Sequence, residues 1–326
     1  MTTPESNGQA PAPVVVSLGG GHGLAATLRA LRHVSPHLTA VVTVADDGGS
    51  SGRLRHELGM LPPGDLRMAL AALCDDSPWG RTWRQLLQHR FRTDGPLDGH
   101  AVGNLLIVAV WDILNGAVEG LDWVAQLLGT QGRVLPMAAV PLDIEADVEM
   151  PGGAQRVVRG QSRVAVTSGT IKHVRLIPDE PPAAPTAVQA VREADWVVLG
   201  PGSWYTSVIP HLLVPDLASA LMETSARRAL TLNLSPQLGE TDGMGAGDHV
   251  RTLHEHAPGF RLDVVIADPA AVEDIDDLTA ACDLVGARLL LRQVRVSSGE
   301  PLHDPLRLGA AYRDAFEGVW GDLRGK

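Results

Sequence analysis

Residues 45 to 53 read Ala45-Asp46-Asp47-Gly48-Gly49-Ser50-Ser51-Gly52-Arg53 and follow directly on the apolar run Leu38 to Val44. The β-branched run has the character of a strand. At its tip stand two adjacent carboxylates, small residues and an arginine. Small residues let the backbone turn sharply and aim N–H groups at an anion. The carboxylates of Asp46 and Asp47 can take sugar hydroxyls or hold Mg²⁺ through a phosphate, and Arg53 can fork onto a phosphate or carboxylate.

A second glycine cluster, Gly19-Gly20-Gly21-His22-Gly23, separates the apolar run Val14 to Leu18 from Leu24 to His33. The second segment has apolar residues at helical spacing. Strand, glycine loop and helix place backbone N–H groups at a helix N-terminus, where phosphate binds readily. Gly21-His22-Gly23-Leu24-Ala25-Ala26 fits the G-x-G-x-x-A dinucleotide pattern, and Asp46 and Asp47 fall about 20 residues on, where a ribose-binding acid would stand. A tight structural turn would use the same glycines. The glycine-serine loop after the acids is foreign to the dinucleotide pattern and favours a phosphorylated ligand held differently from NAD.

Further polar clusters punctuate the chain. Pro62-Pro63-Gly64-Asp65-Leu66-Arg67 reads as a turn entering a helix, with Asp65 placed as N-cap and Asp65 and Arg67 within reach of the same cleft. Gly99-His100-Ala101-Val102-Gly103-Asn104 opens an apolar helix. Gly103 permits close backbone approach, and Asn104 must satisfy its amide on a neighbouring loop or on a ligand, the ligand being preferred. His100 fits a structural histidine. Gly200-Pro201-Gly202-Ser203-Trp204-Tyr205-Thr206-Ser207 follows the buried run Trp196 to Leu199, and its Ser203, Tyr205 and Thr206 suit a phosphate or sugar. Asn233 to Gly243 ends another strand with Gln237, Glu240 and Thr241, which could face a ligand or a subunit partner. No Ser-His-Asp order, His-rich metal spacing or Walker A lysine is present.

The elements that must carry these loops alternate. Val14 to Leu18, Leu38 to Val44, Trp196 to Leu199, Ala229 to Leu234 and Leu262 to Ala267 read as strands. Leu24 to His33, Leu66 to Leu73, Thr82 to His89, Val102 to Leu114, Ala187 to Glu193, Leu217 to Thr224 and Gly247 to His256 read as helices. This rhythm predicts an α/β fold with a Rossmann-like, doubly wound, mostly parallel sheet whose ligand sits at the carboxyl ends of the strands. Between about 134 and 177 the rhythm breaks into Val-rich pieces (Ala139 to Val148, Arg156 to Val158, Arg163 to Val166) separated by Gly and Pro. This predicts a small antiparallel β insertion within one domain spanning 14 to 326.

Composition excludes several classes. The 326 residues carry a net charge of −11 and only 4% aromatics, which argues against a general nucleic-acid binder. Cys74 and Cys282 match no metal spacing and suit a reduced, cytoplasmic protein. The longest apolar candidate, Leu105 to Trp111, is too short to span a membrane. Residues 1 to 13 have no signal-peptide pattern and read as a disordered lead-in.

Taken in order, these motifs resemble the YvcK-type gluconeogenesis factors of the CofD-like family, the family that includes the 2-phospho-L-lactate transferases. The resemblance rests on Gly19 to Leu24, Thr43 to Arg55, Leu61 to Arg67, Gly99 to Leu106, Arg133 to Pro136, Leu199 to Val214, Gly239 to Val250 and His303-Asp304-Pro305, and so spans nearly the whole chain. It implies a Rossmann-like fold, a site for UDP-sugars such as UDP-N-acetylglucosamine, and a role in cell shape and envelope synthesis during gluconeogenic growth. The related transferases imply Mg²⁺ and a nucleotide-activated phospholactate donor. Three positions depart from the family pattern: His22 stands where Thr is usual, Met68 where Asn is usual and Leu302 where Arg is common.

The expected function is a nucleotide-sugar-binding regulator without turnover, a homodimer acting through an envelope-synthesis partner. Its binding residues would be Gly20, Gly21, His22, Gly23, Leu24, Asp46, Asp47, Gly48, Gly49, Ser50, Arg53, Gly64, Asp65, Arg67, Gly103, Asn104, Gly200, Pro201, Gly202, Ser203, Tyr205 and Thr206. The alternative is a Mg²⁺-dependent transferase with Asp46 or Asp47 as the catalytic or metal-holding acid. An NAD-dependent oxidoreductase is the third and weakest reading.

Overall fold

The computed structural model describes residues 11–320. The predicted lead-in falls mostly on residues 1–10, which lie outside the described residues, as do 321–326.

Strand β1 (Val14–Gly19) is apolar, β-branched and almost wholly buried, as a strand covered on both faces must be. It pairs in parallel with β2 (His37–Val42) on one side and with the strand Trp196–Leu199 on the other. In chain order the main sheet has β1, β2, β3 (Arg133–Pro136), β7 (Trp196–Leu199), β8 (Arg227–Thr231), β9 (Val264–Ala267) and β10 (Arg288–Leu291), ordered β10-β9-β8-β7-β1-β2-β3 across its width. Every adjacent pair is parallel. The chain runs outward from β1 to β3, returns to β7 beside β1 and then runs outward the other way. This switch point between β1 and β7 is where open α/β sheets leave a crevice for ligand.

Helices flank the sheet. Helix α1 (Gly21–Leu31) packs against α3 (Gly64–Leu73) and α12 (Pro305–Glu317), and α8 (Pro185–Arg192) against α9 (Pro215–Glu223). Helix α10 (Ala246–His256) packs against α11 (Ile275–Val285), and α5 (Val102–Leu114) against α6 (Ala117–Leu128). Helices α2 (Gly49–Leu58) and α4 (Pro78–Gln88) complete the β2 side. None of the described helices is long and apolar enough to cross a membrane.

The antiparallel insertion has the order β5-β4-β6, from β4 (Asp143–Glu149), β5 (Gln155–Arg159) and β6 (Thr170–Ile177). It starts later than the sequence suggested, because Arg133–Pro136 joins the parallel sheet beside β2. Strand β4 alternates strictly: Ile144, Ala146 and Val148 face inward, and the acids between them face outward. Those acids meet Arg55, Arg159, Lys172 and Arg175 in half-exposed ion pairs, which add modestly to stability. Arg163 to Val166, predicted as strand, instead begins inside a single helical turn, α7 (Gln161–Val164). The turn is closed by Val164 N donating to Gly160 O.

The terminal helix α12 is seated by a buried hydroxyl. Tyr312 OH lies 2.8 Å from Thr231 Oγ1 on β8 and 3.4 Å from Thr27 Oγ1 on α1. Tyr312→Phe leaves both threonines short of that partner, so it should lower unfolding free energy by about 1–3 kcal/mol. Denaturant titration of the two proteins measures this.

Candidate functional site

The glycine loop is built by exclusion. Strand β1 ends at Gly19, Gly20 caps α1, and Leu24 N donates to Gly20 O at 3.2 Å. A Cβ at Gly20 would overlap Thr43 Cγ2 and Asp65 Oδ2. One at Gly23 would overlap the Pro201 carbonyl. These positions are glycine because the 200–203 loop and a carboxylate press against them. Leu24 turns into the core and is 1% exposed, so its side chain supports the loop and does not line it.

The facing loop follows β7. Gly200 has φ +64°, which favours glycine, and its carbonyl accepts a 3.0 Å bond from Thr27 Oγ1. Asn233 clamps Gly202 by accepting from its N–H and donating to its carbonyl, both at 2.9 Å. Between the loops lies a polar cleft of about 250 Å³. It is lined by Gly20 to Gly23, Asp65, Gly202, Ser203, Thr206 and Ser207, with Gln161, Ser162 and Ala165 from the insertion and Gln237 from the loop after β8. Gln237 Nε2 reaches Ser203 Oγ at 3.4 Å, while its Oε1 is buried with no hydrogen-bond partner. A buried acceptor without a partner, on a residue that lines the cleft, calls for a donor.

Two carboxylates meet beside the glycine loop, but they are Asp46 and Asp65. Asp46 Oδ1 accepts from Gly48 N at 2.9 Å. Gly64 and Gly20 leave the room around the pair, since a Cβ at Gly64 would overlap Asp46 Oδ2. Burial raises the Asp46 carboxyl above the usual range. Burial and then the neighbouring Asp46 charge push Asp65 up to about 7, against the Gly21 N–H and Arg67. Asp65 is not the N-cap of α3. The Pro62-Pro63 turn lets the helix begin at Gly64, whose N–H donates to Ser51 Oγ at 3.0 Å, and this places Asp65 in the first turn, facing Gly20.

Several predicted residues lie elsewhere. Asp47 turns to the insertion, where its Oδ1 accepts from Ser162 N at 2.9 Å. Gly48-Gly49-Ser50 is the start of α2 and not a free loop. Ser50 Oγ lies 3.0 Å from His100 Nδ1 and accepts from Asn104 Nδ2 at 3.0 Å. Asn104 Oδ1 accepts from Arg67 Nε at 2.8 Å, so this amide is satisfied by protein and orients Arg67. Gly103 admits Arg67 and Leu87 against α5. Arg53 is exposed and holds a neighbouring loop through the Pro96 and Asp98 carbonyls, because α2 carries its side chain away from the cleft. Tyr205 is buried; its N–H and that of Thr206 donate to Glu240 Oε1 at 2.8 and 3.0 Å, and its hydroxyl donates to Ile171 O. Glu240 is thus a brace for the loop, its carboxyl raised by burial. Gln161, Ser162 and Ser207 were missed. Only the small polar run after Gly160 could have hinted at the first two.

A family model described as CofD, 2-phospho-L-lactate transferase, matches residues 15–281. The chain belongs to the CofD family. A "Putative gluconeogenesis factor" of Mycobacterium tuberculosis H37Rv is 52% identical over 302 residues, covering 91% of this chain and 88% of that protein. The "Gluconeogenesis factor" of Bacillus subtilis is 39% identical over 265 residues, 81% of this chain and 80% of its own. A crystal structure of a UPF0052-family protein of Bacillus halodurans superposes with a TM-score of 0.83 at 34% identity, covering 93% of this chain and 99% of that one. The fold and the gluconeogenesis-factor branch of the CofD family are therefore those the sequence motifs indicated.

The raised Asp65 carboxyl makes stability depend on pH. The folded chain keeps this proton up to about pH 7, whereas the unfolded chain releases it near 3.8. Between those values the folded state holds more protons, so stability from this group is complete below about 4 and is lost as pH rises through 7. Asp65→Asn should flatten that decline in thermal melts across the window. An identical slope in the variant would remove the assignment.

Proposed function

We propose that this CofD-family protein binds a nucleotide sugar of the UDP-N-acetylglucosamine type and acts as a regulator of envelope synthesis and cell shape during gluconeogenic growth. The observation that carries the reading is the cleft at the β1–β7 switch point. The α1 N-terminus lines it and would supply backbone N–H groups to a diphosphate, and Ser203, Thr206 and the unpartnered Gln237 Oε1 would supply hydrogen bonds to hydroxyls. The gluconeogenesis-factor relatives support the physiological setting.

The second reading is a Mg²⁺-dependent phosphoryl-ester transferase, favoured by the Asp46–Asp65 pair and by the family model's description. Among the described residues no three metal-ligating side chains converge. Asp46 and Asp65, which the missing Cβ atoms of Gly64 and Gly20 allow to sit against the backbone, are the residues that would hold a Mg²⁺ taking its remaining ligands from phosphate oxygens and water. Bound there, the ion would neutralise negative charge on the phosphates. Asp65, protonated or ionised near neutrality, could hold or release a proton beside an acceptor hydroxyl.

Calorimetric titration with UDP-N-acetylglucosamine tests the first reading. The wild type should bind, Gln237→Ala should bind about tenfold or more weakly, and Arg53→Ala, remote from the cleft, should match the wild type. Absence of binding by the wild type, or no effect of Gln237→Ala and Asp46→Ala, would overturn it. Mg²⁺-dependent product from a nucleotide-activated phospholactate, lost in Asp46→Asn, would establish the second instead.

A further inference from the structure

A larger cavity, about 430 Å³, opens on the other side of the α1 N-terminus, between α1, α3 and α4. Four arginines line it: Arg29 from α1, Arg67 from α3, Arg84 from α4 and Arg90 just beyond α4. Small alanines of α1 and α3 leave the room. On a chain of net charge −11 this is a local inversion of sign.

Most of these guanidinium groups are anchored but not neutralised. Arg67 donates to Asn104, Arg84 to the Cys74 carbonyl at 2.6 Å, and Arg90 to the Gly99 carbonyl at 2.7 Å. Of the four, only Arg84 has an ion pair among the described residues, with the exposed Asp76 at 3.2 Å. The groups repel one another. Arg29 is held below its usual range by burial and then by Arg84 and Arg32, and Arg67 is lowered to about 10 by burial and then by Arg90. No carboxylate lines the cavity itself, and the three anchored guanidinium groups have their geometry already set, so the cluster is pre-organised for an external anion.

We propose that this cavity is a second anion site, taking a small metabolite with two or more phosphate or carboxylate groups. The site is separate from the cleft at Gly20 to Gly23 but adjoins it, because His22 lines both cavities. Arg67 lines the arginine cavity and is also coupled to the carboxylate pair: Asp46 and Asp65 raise its affinity for its proton while Arg90 lowers it. An anion in the cavity therefore acts on the same guanidinium that balances the carboxylate pair.

The test uses two simple probes, sodium tungstate and inorganic pyrophosphate, on the full chain. Crystals of the wild type soaked in tungstate should show anomalous density within reach of Arg29, Arg84 and Arg90, and crystals of the Arg29→Ala/Arg90→Ala double variant should lack it. Both substituted residues have much of their surface in solvent, and thermal melts check that the variant folds. Pyrophosphate should bind the double variant at least tenfold more weakly, with a shallower salt dependence. Tungstate confined to the glycine loop, no tungstate density, or pyrophosphate titrations that superimpose would each overturn the site. UDP-sugar titration reads the other cavity, so the two proposals fail separately.

Discussion

The constraint on which the site depends is the approach of the α1 N-terminus to the loop after β7. At Gly23 the backbone comes so near the Pro201 carbonyl that no side chain fits between them. Thr27 fastens the same loop from inside α1, and Asn233 clamps it from just beyond β8. The width of the cleft is thereby set by backbone packing and by three hydrogen bonds of two polar side chains. A site meant to align N–H donors on an anion gains from this, because the donors lose little freedom when the ligand arrives. β1 and β7 carry these loops side by side only because the chain reverses direction across the sheet at that point, so the topology and the site are one feature.

The antiparallel insertion is the second fixture. It leaves the sheet after β3 and returns at β7, and on the way lays α7 over the cleft. Asp47 holds this turn through Ser162 N, Gln161 donates to Thr206 O, and Tyr205 bonds back to Ile171. Gly160, at φ +105°, lets the turn come down against Asp47, where any Cβ would strike its carboxylate. The two aspartates that end β2 thus divide the work. Asp47 secures the cover, and Asp46 remains beside Asp65 at the glycine loop.

The strands and glycine loops were legible because they obey local rules: β-branched buried runs, glycines at strand ends, acids alternating with apolar residues in β4. What escaped was long-range. Asp65 looked like a cap because its position before an apolar helix is a capping position; only the packing of Gly64 against Ser51 and Asp46 moves the helix start back by two residues and frees the carboxylate. Asn104 looked like a ligand contact because a polar group in an apolar helix needs a partner, and sequence cannot say that Ser50 and Arg67 supply it. Arg53 was assigned to the cleft by proximity along the chain. The residues 49–58 form a helix, and its turn carries Arg53 to the far side. Gln161 and Ser162 were invisible because they reach the site across more than a hundred residues of chain.

The three departures from the family pattern follow the cavities. His22 stands at the junction of the cleft, the arginine cavity and a third pocket beside His303; Met68 lines the arginine cavity; Leu302 lines the third pocket. None of them touches the Gly23–Pro201 contact, the Asn233 clamp or the Asp47 anchor. Asp304, next to Leu302, meanwhile keeps a purely structural task, capping α12 through Leu306 N and Arg307 N. Substitutions that change the lining while every fastening stays in place alter what the cavities prefer to hold, not whether they form. In this chain that preference shifts from hydroxyl and amide groups toward an imidazole at the junction and a thioether beside the guanidinium groups. The arginines are left as the dominant polar feature of their cavity, and charge, more than hydrogen-bond pattern, sets what enters it.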